Sequence, residues 1–199
     1  MLHVNKLRRS ALFMPASNMR ALEKAKSLAT DVILMDLEDA VSSDKKELAR
    51  NQAIEAIAVG GYGSRELVIR INGNDTQWYR EDIQRVACSG ADAVLLSKVE
   101  APGDVQNAEA ELVSAGAPSN LAIWCMIETP KGVLRVSEIA GASDRVAVLV
   151  LGTSDLTKDL RVRPNSNRLP LITSLYCGVF AILAPMLQDY THLALILTI

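Results

Sequence analysis

The sequence is poor in the residues that carry the commonest site chemistries. Histidine occurs only as His3 and His192, near the two ends, and cysteine as Cys88, Cys125 and Cys177 with no C-x-x-C pair. That scarcity argues against a Ser-His-Asp triad or a His/Cys zinc site. An odd number of widely spaced cysteines reads as small buried hydrophobes in a reducing compartment. Aromatic residues make up 4%, too few for base-stacking platforms, and a net charge of −2 offers no field for nucleic acid or an anionic membrane. No G-x-G-x-x-G follows the first apolar run and no Walker motif occurs, which weakens nucleotide-binding sheets. Repeats, low-complexity tracts and linkers are missing as well. Met1–Arg9 holds no apolar run of signal-peptide length, so the expected location is the cytoplasm. The uncharged stretch Leu171–Leu187 approaches the length of a membrane span, but Gly178 and Pro185 interrupt it. It is read as a buried helix running into a loop, with no membrane partner expected.

What is present is alternation. Continuous apolar runs at Ala11–Met14, Val32–Met35, Leu67–Ile71, Ala93–Leu96, Leu121–Ile127 and Val146–Leu151 read as strands buried on both faces. Helical patterns lie between them at Asn18–Ala29, from Ser43 or Asp44 through Ile57, and at Thr76–Cys88, Pro102–Ala115 and Pro130–Ala140. Gly60-Gly61 ends the second, and the two prolines suit first-turn positions. Strands separated by single helices imply right-handed parallel crossovers. Six such units fit an open doubly wound sheet or most of a (β/α)₈ barrel, and periodicity alone does not choose. The chain has 199 residues, enough for one sizeable core but short of the ~250 typical of a complete barrel.

In parallel α/β folds the chemistry collects where strands end. Pro15-Ala-Ser-Asn18 follows the first strand and Asp36-Leu-Glu-Asp39 the second; the third carries Arg70, then Asn72-Gly73. The fourth ends at Lys98 and Glu100, the fifth at Glu128-Thr129, and the sixth at Gly152-Thr-Ser-Asp155. Five successive strands thus end in ionisable groups with apolar stretches behind them. Carboxylates without clustered His or Cys favour a hard cation such as Mg²⁺. Cys125, inside an apolar strand, reads as core.

These segments resemble the HpcH/HpaI aldolase and citrate lyase beta-subunit family. The resemblance rests on Arg9-Ser-Ala-Leu-Phe-Met-Pro15, Asp36-Leu-Glu-Asp-Ala-Val41 with Lys45 and Ala49-Arg50, and Val68-Ile-Arg-Ile-Asn-Gly73. Ser97-Lys-Val-Glu100, Ile127-Glu-Thr129 with Gly132, and Gly152-Thr-Ser-Asp-Leu156 complete it, in family order. It implies a (β/α)₈ TIM barrel with Mg²⁺ held by Glu128 and Asp155. Arg70 matches the substrate-binding arginine, with its fork on a substrate carboxylate or enolate oxygen, and Glu38 and Asp39 orient it and metal-bound water. Phe13 and Lys24 fall where relatives contact coenzyme A, and Glu128 also faces substrate. Lys45 and Arg50 are expected to pair with nearby acids. The implied activity is a carbon–carbon lyase cleaving or forming a β-hydroxyacyl-CoA thioester such as malyl-, citramalyl- or citryl-CoA, in a homo-oligomer. A metal-dependent aldolase on CoA-free hydroxy keto acids, or an inactive remnant that only binds ligand, stay open.

Two departures accompany the resemblance. Relatives carry Pro-Gly after the first strand where this chain has Pro15-Ala16, so that turn is expected to differ. The family pattern fades after Leu175, which divides the sequence into a barrel region, 1–175, and a divergent tail, 176–199. The barrel is accordingly expected to be cut short after about six β/α units by truncation or frameshift, with apolar Leu193–Ile199 able to serve as a seventh strand.

Overall fold

The computed structural model describes residues 8–162, 168–186 and 194–198, with side chains described through Cys177. His3 and His192 lie outside the described residues. The described residues divide into two compact units, one of residues 8–95 with 110–122, the other of 96–109 and those from 123 onward.

In the first unit, β1 (Ala11–Pro15), β2 (Val32–Asp36), β3 (Glu66–Arg70) and β4 (Ala93–Leu96) pair in chain order, all parallel. Every residue of β2 is buried, and Ile33 and Leu34 have no exposure at all. Full burial of such a side chain contributes roughly 1.5–3 kcal/mol, which is why the apolar runs carry no polar alternation. The crossovers are α1 (Met19–Ala25), α2 (Lys46–Val59) and α3 (Tyr79–Ala87). Asn18 caps α1 by accepting from the Ala21 amide at 3.2 Å. The expected Ser43/Asp44 cap is instead a 3-10 turn, Ser43–Lys45, that leads into α2 without a side-chain cap. Gly60, at φ 72°, ends α2 as its sequence position foretells.

The second unit holds β5 (Ala122–Ile127, from Ile123 onward), β6 (Val146–Gly152) and β7 (Ala194–Thr198), again parallel and in chain order. β7 pairs along β6 from Val148↔Ala194 to Gly152↔Thr198, so the apolar C-terminal run does act as a strand. α4 (Pro102–Ser114) precedes β5. The helix expected over Pro130–Ala140 is two, α5 (Pro130–Leu134) and α6 (Val136–Ala140), separated at Arg135, whose φ −110° and ψ 12° leave the helical region. α7 (Thr153–Asp159) follows β6, and α8 (Leu169–Met186) accounts for most of the uncharged stretch. Among the described residues, no helix is long and apolar enough to cross a membrane.

Of the cysteines, only Cys125 is fully buried. Cys88 is exposed and Cys177 half-buried, which corrects the reading of all three as core. The predicted Pro15-Ala16 difficulty does not arise either. Ala16 is buried without a positive φ, and its amide donates to the Asp36 carbonyl at 2.9 Å.

Candidate active site

In the first unit the strand ends assemble a buried cluster around Arg70. The register sets Asp36 beside Arg70 and Pro15 beside Asp36. Arg70 Nε and Nη2 donate to the two oxygens of Asp36 at 2.7 and 2.6 Å, a bidentate charge-assisted pair. Its Nη1 lies 2.9 Å from Glu38 Oε2, and the Phe13 ring sits 5.5 Å from the guanidinium carbon. Asp36 does more than hold Arg70. Its Oδ1 and Oδ2 also accept the main-chain amides of Glu38 and Ala40, at 2.8 and 3.1 Å, so one carboxylate folds the whole acidic turn.

Two further buried cations brace this cluster. Lys46 Nζ donates to the carbonyls of Leu37 and Glu38 at 2.8 and 2.7 Å and lies 5.2 Å from the Trp78 ring. Burial pushes its pKa down, against the pull of Glu38, Asp36, Asp82 and Asp39. Arg50 pairs with Asp82 at 2.7 Å and with Glu81 at 2.8 Å. The other Asp82 oxygen accepts both the amide and the side chain of Asn72, at 3.1 and 2.6 Å, which fixes the chain just beyond Arg70.

In the second unit the strand ends present carboxylates. Glu128 closes β5 and is only 3% exposed; its Oε1 accepts the Lys98 main-chain amide at 2.9 Å. Gly152 closes the paired strand β6, and a Cβ there would lie 2.7 Å from both Glu128 Cβ and Oε2. The glycine is therefore a spatial requirement of the glutamate. Asp155 stands in the first turn of α7, immediately after β6, and is half-buried. Thr129, next to Glu128, caps α5 by accepting the Gly132 amide at 3.1 Å.

This donor set can hold a hard divalent cation. Among the described residues no group of three or more His, Cys, Asp or Glu side chains assembles as a metal cage. Two carboxylates at the ends of paired strands are what Mg²⁺ takes when water and ligand oxygens fill the rest of its octahedron. Glu128 and Asp155 are the carboxylates here that could supply that pair.

The residues named from the sequence fall out unevenly. Arg70, Glu38 and Phe13 come together, whereas Asp39 is 3.9 Å from Arg70 with a side chain 58% exposed. The Nε–Nη2 edge of Arg70, expected to face ligand, is engaged by Asp36. Lys24 is an exposed residue of α1. Arg50 pairs with acids as expected, while the lysine buried beside the acidic turn is Lys46, not Lys45. Asp36 and Lys46 were missed as site residues.

The sequence matches the family described as HpcH/HpaI aldolase/citrate lyase over residues 9–186. A (3S)-malyl-CoA thioesterase of Cereibacter sphaeroides is 44% identical over 167 residues, which is 84% of this chain and 56% of that protein. The citrate lyase subunit beta of Leuconostoc mesenteroides is 38% identical, over 78% of this chain and 53% of that protein. The chain thus spans about half the length of the curated relatives it matches. Among solved structures, the CitE protein of Mycobacterium tuberculosis, in complex with magnesium, acetoacetate and coenzyme A, superposes with a TM-score of 0.75 at 26% identity. That match covers 96% of this chain and 67% of the other. With its family-model match over residues 9–186 and its relatives at 44% and 38% identity, the chain belongs to the HpcH/HpaI aldolase/citrate lyase family.

Proposed function

We propose that this chain carries the Mg²⁺ and substrate residues of a carbon–carbon lyase acting on a β-hydroxyacyl-CoA thioester, of the malyl-, citramalyl- or citryl-CoA type. The observation that supports this most is the boxed carboxylate of Glu128, with Asp155 in the first turn after the neighbouring strand. Glu128 and Asp155 would hold the cation, and the parallel units are read as part of a (β/α)₈ barrel. The setting is a cytoplasmic homo-oligomer, with residues 1–175 as the barrel region and 176–199 as a divergent tail.

In the reaction, the bond between the hydroxyl-bearing carbon and the thioester α-carbon breaks. The hydroxyl loses its proton and becomes a carbonyl, while the bonding pair passes into an acyl-CoA enolate that is then protonated. Bound Mg²⁺ supplies Lewis acidity toward the hydroxyl and carboxylate oxygens of the substrate. Arg70 offers positive charge where the oxyanion develops, and Asp36 and Glu38 keep its guanidinium in one orientation. Asp39, at the exposed margin of that cluster, orients water, and Phe13 and Lys24 contact the coenzyme A moiety.

The thioesterase relative favours a second reading, in which water attacks the thioester carbonyl and the C–S bond breaks. Mass spectrometry of products from a panel of malyl-, citramalyl- and citryl-CoA, with Mg²⁺ or with chelator, separates the two. Cleavage between carbons releases a shorter acyl-CoA and an oxo acid; hydrolysis releases free coenzyme A and the intact hydroxy acid. Turnover only of CoA-free hydroxy keto acids would indicate the aldolase. Ligand binding without turnover would indicate a binding remnant, and turnover indifferent to chelator would overturn the metal assignment. For the lyase, Arg70→Ala and Asp155→Ala each lower kcat/KM by roughly 10²–10³-fold.

A further inference from the structure

The turn after β4 carries a backbone oddity that the proposed reaction does not use. Lys98 has φ 52°, a left-handed conformation that L side chains rarely adopt. Its consequence is directional, because the Lys98 N–H points at Glu128 Oε1, 2.9 Å away. The turn has little room to release that bond. The next amide, Val99, donates to the Met126 carbonyl on β5 at 3.1 Å. The start of α5 packs against the same turn, since a Cβ at Gly132 would come within 2.5 Å of the Val99 carbonyl. A Cβ at Gly152 would lie 2.7 Å from both Oε2 and Cβ of Glu128, so the side chain packs against that glycine.

We infer that this arrangement makes the cation site discriminate against Ca²⁺, because the Lys98 amide reserves one oxygen of Glu128 and restricts the carboxylate to binding through the other. The inference rests on the reading that Glu128 and Asp155 are cation ligands. Ca²⁺ takes six to eight oxygens in flexible geometry and readily fills its larger shell with carboxylates bound through both oxygens, whereas Mg²⁺ demands a near-ideal octahedron and keeps several waters, for which one oxygen per carboxylate suffices. A cation on the bisector of Glu128 would share Oε1 with the N–H and approach its positive end. Discrimination then resides in a peptide group, not in a side chain.

The test uses Mn²⁺, followed by electron paramagnetic resonance on the full chain, with Mg²⁺ and Ca²⁺ as competitors. The expected result is that Mg²⁺ displaces Mn²⁺ at a concentration at least tenfold below that needed for Ca²⁺. Replacing the residue 98 peptide by an ester, with an alanine side chain introduced by nonsense suppression, removes the N–H relative to Lys98→Ala while keeping the same side chain. The Mg²⁺/Ca²⁺ ratio should fall several-fold in the ester and hold in Lys98→Ala. Equal competition by Ca²⁺ in the unaltered protein, or an unchanged ratio in the ester, overturns the inference while leaving the metal site standing. Absence of Mn²⁺ binding, or binding that survives Glu128→Gln undiminished, overturns the metal reading and the inference with it.

Discussion

Arg70 and Glu128 are both charged side chains buried at strand ends, 7% and 3% exposed, yet the molecule restrains them by opposite means. Around Arg70 the restraint is charge on charge: Asp36 on one edge, Glu38 on another, and the Phe13 face beside them. Around Glu128 it includes a peptide amide and the vacant volume over a glycine. The contrast teaches where each site is vulnerable. A cluster neutralised by its own side chains fails when a partner charge is deleted; a carboxylate held by backbone and space fails when atoms are added.

The largest expected effect is at Asp36. Removing it by Asp36→Ala leaves Arg70 without its bidentate partner and two amides of the acidic turn without their acceptors. Loss of one member of a buried pair costs about 3–5 kcal/mol, readable as a shift in the urea unfolding midpoint. Asp39→Ala, at the exposed rim, should stay within about 0.5 kcal/mol. If the two variants unfold alike, Asp36 is not the anchor of the cluster.

Gly152→Ala probes the other side. The added methyl must displace Glu128 at its Cβ as well as its tip, so bending the carboxylate away cannot relieve the contact. Overpacking of this kind costs about 1–3 kcal/mol, and thermal unfolding would register it. An alanine variant as stable as the parent would mean that the paired strand ends are loose enough to admit a methyl group.

The smallest effect is expected at an aspartate–arginine pair on the surface. Arg9 and Asp31 meet at 2.8 Å with the arginine side chain 75% exposed, and the Arg9 guanidinium holds the Asp31 carboxyl down at about 2. Because the folded value lies below the ordinary 3.8, the pair's stabilisation is complete above 3.8 and is lost as pH falls through about 2. Asp31→Asn should flatten the acid limb of the melting temperature across that window and change nothing at neutral pH beyond a slight loss. An unaltered acid limb would show that the surface pair contributes nothing.

Most of the element order is legible in the sequence because fully buried parallel strands write themselves as unbroken apolar runs. The strand-end chemistry is legible for a related reason: a charge directly after such a run has few places to go. What escaped has physical causes too. Asp36 does not stand out in the sequence because three acids crowd Asp36–Asp39, and only the β2–β3 register singles out the one opposite Arg70. Lys46 is obscured by its neighbour Lys45, although the buried face of α2 runs through Lys46, Ala49, Arg50, Ala53 and Ala56, a helical spacing that selects position 46. The break at Arg135 was invisible because Pro130–Ala140 contains neither a glycine nor a proline at that point to announce it. The Lys98 bend lies beyond any propensity rule, since nothing about lysine foretells a left-handed backbone.

In the first unit each strand after β1 finds its partner in the one made just before it, at offsets of 21 residues for Ala11 to Val32, 34 for Val32 to Glu66 and 25 for Val68 to Ala93. On a ribosome delivering about 5–20 residues per second, a finished strand is exposed to the next within seconds. Assembly can therefore advance like a zip from the amino end, with each β/α unit serving as the seam on which its successor is sewn.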